Sequence, residues 1–112
     1  MAEPITPQKV KTLLASDDVL PPMLLLDVRR KPTFEAAPDR IPGSRWRDPS
    51  EVSTWATELP QNAVMVVYCV HGHQVSQGVA AQLAELGHKA WYLEGGIEGW
   101  REAGGEVEPR VS

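Results

Sequence analysis

The sequence predicts an α/β fold, a mainly parallel central sheet with helices on both faces, and three observations lead there. Residues 23–28 (MLLLDV), 64–68 (VMVVY) and 90–93 (AWYL) are short, nearly continuous apolar runs. Such runs suit strands buried on both sides, whereas a strand with one wet face would alternate. Each run is followed by turn residues or by a stretch with helical spacing, and strands that alternate with helices in this way are joined by right-handed crossovers.

Taken in order, Thr6 and Pro7 read as N-cap and first residue of a helix that places Val10, Leu13 and Leu14 on one face and is expected to end near Ser16. The run at 23–28 follows a Pro pair and carries Asp27 at its carboxyl end. Residues 32–37 suffice for one helical turn, and Ile41-Pro42-Gly43-Ser44 spells a tight turn. Asp48-Pro49 opens a helix predicted to run to about Leu59, where Pro60 ends it. The run at 64–68 leads directly into Cys69 and the segment VHGHQ. Over 75–86, Val75, Val79, Leu83 and Leu86 fall on one stripe, and Gly87 stops that helix. After 90–93, Gly95-Gly96 turns into a short helix ending by Gly104-Gly105. The expectation is a single domain over 1–112 with its core at about 6–108, and loose ends at 1–4 and 109–112.

A chain of 112 residues holds one hydrophobic core, and 42% hydrophobic with 23% charged residues is ordinary globular composition. There is no run of about 18 apolar residues, and the first ten residues show neither an apolar stretch nor a basic lead, so no membrane span and no secretory signal are expected. The single cysteine fits a reducing compartment, and the expected location is the cytoplasm. The formal charge is −4 and the 11 Lys and Arg are scattered, with RRK at 29–31 the longest basic run. Nucleic-acid binding, which needs concentrated positive charge, is therefore not expected.

Ligands of open α/β sheets bind beyond the carboxyl ends of strands, where a loop entering a helix offers unpaired backbone N–H groups to an anion. Cys69 stands at such a place, and the following helix start would favour its thiolate. A thiolate there serves as nucleophile or metal ligand. Cys69, His71 and His73, at i, i+2 and i+4, lack a clear fourth ligand, so no metal is expected. His71 and His73 are either solvated loop residues or, when protonated, groups that bind an anion. Asp27 and Arg29 read as structural support, tying strand and loop ends through backbone hydrogen bonds and an ion pair, with Glu35 a candidate further partner. Trp46, Trp55, Trp91 and Trp100 read as core or rim packing.

Four motifs in order carry a family resemblance: LLLDVR at 24–29, DRIPGS at 39–44, YCVHGHQ at 68–74 and LEGGIEGW at 93–100. On these the chain resembles the rhodanese superfamily, in particular its single-domain sulfurtransferases. The resemblance implies a rhodanese-like fold and a double displacement in which Cys69 takes the outer sulfur of a donor such as thiosulfate. The sulfur is held as a persulfide and passed to a thiophilic acceptor, possibly a protein thiol, with no metal or organic cofactor and with neither nucleic acid nor membrane as partner. Val70, His71, Gly72, His73, Gln74, Val75 and Ser76 would form the anion-binding loop.

Two features depart from the family pattern. Arg40 stands where the family commonly has His before Ile-Pro-Gly, a position read as structural. The loop also admits two registers: one ends at Gln74, with Val75 replacing the family's Ser or Thr, and the other matches Ser76 to that residue, making the loop one residue longer. The longer loop is that of phosphatase and arsenate-reductase relatives, which end it with an Arg that grips the oxyanion; here that place holds Val75. Sulfur transfer is the first reading, a rhodanese-fold phosphatase or arsenate reductase the second. A non-catalytic module that senses sulfide or oxyanions through Cys69 is the third.

Overall fold

The computed structural model describes residues 3–15 and 22–109. Along the chain run β1 (Glu3–Ile5), α1 (Pro7–Ala15), β2 (Met23–Asp27), α2 (Lys31–Ala36), β3 (Asp39–Arg40), β4 (Arg45–Trp46), α3 (Val52–Trp55), β5 (Val64–Tyr68), α4 (Gln74–Glu85), β6 (Lys89–Leu93), α5 (Gly96–Glu102) and β7 (Glu108–Pro109). Five strands form one sheet in the order β1-β6-β5-β2-β4, and every pairing in it is parallel. β3 and β7 make a separate antiparallel ribbon.

The three apolar runs are the central strands, and their alternate residues divide between two cores. Leu26, Met65 and Val67 face a cluster closed by Val52 and Trp55 of α3 and by Val79 and Leu83 of α4. Leu25, Val66, Tyr68 and Leu93 face the other way, toward Val10 of α1 and Ile97 and Trp100 of α5. Helices therefore cover both faces, which is why the strands lack the polar alternation of a half-wet sheet. The register sets Asp27 beside Tyr68, so the carboxyl ends of β2 and β5 open side by side.

Several expectations change. Residues 3 and 4, predicted loose, belong to β1, which pairs Glu3 with Trp91 and Ile5 with Leu93. Residue 109 likewise joins β7. The expected end of α1 at Ser16 lies outside the described residues, as do residues 1–2 and 110–112. The helix predicted from 48 to 59 is broken into a 3-10 turn at Pro49–Glu51, the single turn of α3, and a second 3-10 turn at Ala56–Glu58. Asp48 caps the first piece by accepting from the Ser50 N–H at 2.9 Å, and the Trp55 indole N–H donates back to the Asp48 carbonyl at 2.8 Å, winding the segment tightly. Leu86, predicted on the buried stripe, is 50% exposed, because the helix stops at Glu85 and Ser76 and Ala80 take the inner face with Val79 and Leu83.

Candidate active site

β5 ends at Tyr68 and delivers Cys69 to the mouth of the sheet, where the thiol is 7% exposed. Below it lies a buried polar cluster. The Arg29 guanidinium clasps Asp27, with Nε 2.9 Å from Oδ1 and a terminal nitrogen 2.5 Å from Oδ2. The Tyr68 hydroxyl donates to Asp27 Oδ2 at 3.1 Å, accepts the Ile41 N–H at 3.2 Å and lies 2.8 Å from Ser44 Oγ. Burial works against the Arg29 charge, but its hydrogen bonds and attraction to Asp27 win and hold it above the usual arginine range. Burial, then the Asp27 charge, push the Tyr68 phenol well above its ordinary value, so it stays protonated and donates. Asp27 and Arg29 thus form one buried hydrogen-bonded cluster with Tyr68, Ile41 and Ser44.

The loop after Cys69 is held from behind. The Ile97 N–H donates to the Cys69 carbonyl at 2.9 Å and the Glu98 N–H to the Val70 carbonyl at 3.1 Å, so the start of α5 grips two loop carbonyls. The Gln77 side chain donates to the Gly72 carbonyl at 2.9 Å. With these carbonyls turned inward, the backbone N–H groups of residues 70–76 donate to no other described group. Loop amides without internal acceptors are what an anion site at this place would need. The shape of the loop depends on two glycines. At Gly72, with φ +72°, a Cβ would sit 2.8 Å from Gly95 N and Leu93 O; at Gly96, with φ +62°, it would sit 2.5 Å from the Cys69 carbonyl oxygen.

The thiol donates to Ser76 Oγ at 3.1 Å, and the direction reverses when sulfur carries the charge. This contact agrees with the longer register: Ser76, inside α4, is the hydroxyl that meets Cys69, and the residue before it is Val75. A pocket of about 370 Å³ opens over the sulfur and is lined by Cys69, Val70, His71, His73, Gln74 and Val75 of the loop. Gly72 and Ser76 are buried behind this wall. The imidazoles of His71 and His73 are exposed, with ring centres 6.0 Å apart.

Arg30 and Thr33, which the sequence reading did not single out, line the pocket together with Arg29 from the segment after β2. The signal is the basic run at 29–31, which the sequence reading weighs only against nucleic-acid binding. Beyond Arg30 and Val75 the pocket continues into a groove of about 420 Å³ that includes Lys31, Asp48 and Ser50.

A family model described as Rhodanese-like domain matches residues 6–103. Among solved structures, the chain is similar to a rhodanese-related protein from Thermoplasma volcanium, with 25% identity, a TM-score of 0.78, and coverage of 95% of this chain and 97% of that one. It is similar to a protein from Rhodopseudomonas palustris described as a possible tyrosine phosphatase, with 26% identity, a TM-score of 0.76, and coverage of 96% and 85%. A thiosulfate sulfurtransferase from Pseudomonas aeruginosa shares the fold at 23% identity, with a TM-score of 0.78 over 97% of this chain and 20% of that one.

Proposed function

This chain belongs to the rhodanese-like domain family, and on that premise we propose that it is a sulfurtransferase working through a persulfide on Cys69. One observation carries the reading: a cysteine at the carboxyl end of β5 lines a pocket together with loop residues whose backbone N–H groups have no acceptor among the described residues. In the first half-reaction the Cys69 thiolate attacks the outer sulfur of thiosulfate. The new S–S bond leaves Cys69 as a persulfide anion, and the old S–S bond breaks with its electron pair on departing sulfite. In the second, a thiophile such as cyanide or a protein thiolate attacks the terminal sulfur and restores the Cys69 thiolate. The loop amides stabilise the negative charge in both, and Ser76 donates to whichever sulfur atom of Cys69 holds it. No cofactor enters the reading, and the proposed location is the cytoplasm; among the described residues no helix is long and apolar enough to cross a membrane.

Hydrolysis of a phosphate ester or reduction of arsenate is the second reading, favoured by the longer loop register that the contact between Cys69 and Ser76 supports. It is second because Val75 supplies no cation where such a loop needs one to neutralise a tetrahedral oxyanion. Intact mass after thiosulfate treatment tests both. A gain of one sulfur atom, absent from Cys69→Ser and discharged by cyanide, is the expected result. No gain, together with aryl-phosphate turnover that depends on Cys69, reverses the order. A gain that cyanide discharges only slowly points to the sensing role.

A further inference from the structure

Resting on the sulfur-transfer reading, we propose that Arg30 is the residue that recognises the negative charge of the donor, doing from the facing wall what the loop lacks the side chain to do. Its neighbour Arg29 lines the same pocket but is 2% exposed and clasped by Asp27, so its charge is spent on the fold. The Arg30 side chain is exposed and makes no ion pair or hydrogen bond with any described group. Its backbone is nevertheless fixed: Arg30 caps α2 with φ −59° and ψ 148°, and its carbonyl accepts the Phe34 N–H at 2.8 Å. A free guanidinium on an anchored stem is thus set at the rim of the Cys69 pocket.

The surroundings leave that charge unopposed. Among the described residues no Asp or Glu lines the Cys69 pocket. Among the described residues the one acid of the adjoining groove, Asp48, accepts from the Ser50 N–H at 2.9 Å and the Ser50 hydroxyl at 2.7 Å and is attracted to Lys31 of the same groove. A chain of net charge −4 repels an incoming anion on average, so a local cation at the entrance decides whether one is captured. Guanidinium presents parallel N–H donors that match two oxygens of a sulfonate group, which places Arg30 on the leaving end of a thiosulfonate donor while the loop holds the sulfur end. Arg30 then sets specificity for anionic donors and acts mainly on KM of the first half-reaction.

The test compares alkylation of Cys69 by anionic iodoacetate and neutral iodoacetamide in the wild type, Arg30→Gln, Arg30→Lys and a His71→Ala/His73→Ala double variant, with inorganic sulfate as competitor. Thiosulfate KM is measured on the same proteins. Arg30→Gln is expected to lower the iodoacetate-to-iodoacetamide rate ratio, weaken sulfate protection and raise thiosulfate KM by about tenfold, the worth of one charge-assisted contact. Arg30→Lys should recover part of each effect. A ratio unchanged in Arg30→Gln, or one lost only in the double-histidine variant, overturns the assignment. If the ratio depends on Arg30 while the wild type forms no persulfide, the anion site stands and the sulfur-transfer reading falls.

Discussion

At Cys69 two kinds of contact do different work, and single substitutions separate them. Ser76 stabilises charge on sulfur, so Ser76→Ala should lower kcat/KM for sulfur transfer by roughly three- to tenfold, the worth of one hydrogen bond, with an unchanged circular-dichroism spectrum. Gly96 lines no part of the pocket, yet a methyl group there meets the carbonyl oxygen of Cys69 at 2.5 Å. Gly96→Ala should therefore displace the loop and cost more activity than Ser76→Ala, a ranking that transfer assays on the two purified variants check directly. Tyr68→Phe should cost about 1–3 kcal/mol in urea denaturation, because it orphans the buried Ile41 N–H. Cys69 itself was plain from sequence, since a lone thiol between an apolar run and a glycine-bearing loop has few other places to be. The register was not, because Val75 and Ser76 are adjacent and only the winding of α4 decides which one faces the sulfur.

Between elements, the central strands bear on both cores and the short ones act as ties. Leu26 and Val66 are 3% and 0% exposed and belong to opposite faces, so Leu26→Ala and Val66→Ala should each cost about 2–4 kcal/mol in urea denaturation, Leu26 the more. β3 is tied to α5 by Asp39 and Arg101, whose carboxylate and guanidinium meet twice at 2.5 Å. Hydrogen bonding to Arg101 holds the Asp39 carboxyl below its usual range. Since the folded value lies below the unfolded one of about 3.9, the pair stabilises at neutral pH and its contribution fades as pH falls through and below that value. The melting-temperature difference between wild type and Asp39→Asn should accordingly be positive at pH 7 and shrink on acidification past about pH 4. The long apolar runs announced their strands because burial on two faces leaves no alternative composition. β1, β3, β4 and β7, of two or three residues each, owe their conformation to a neighbouring chain segment, and nothing within them marks it.

Over the molecule as a whole, the site draws on three distant stretches: 27–44 for the supporting cluster and the cationic wall, 68–76 for the loop, and 93–98 for the clamp behind it. Order along the chain told of each stretch separately through its motif. That Arg30 faces the loop was not legible, because it follows from β2 and β5 lying side by side in register, a relation between segments some 40 residues apart. The same architecture has a consequence during synthesis. When a ribosome has released the chain only as far as residue 88, Cys69 is already outside, but β6, Gly96 and the two amides that grip its loop are not. The nascent protein then carries Cys69 on a loop without its clamp, and the two loop carbonyls are gripped only once the start of α5 has emerged and docked. On the sulfur-transfer reading proposed above, reactivity toward an anionic donor is thereby withheld until the sheet is complete, so a truncated or stalled product presents a cysteine without the site built around it.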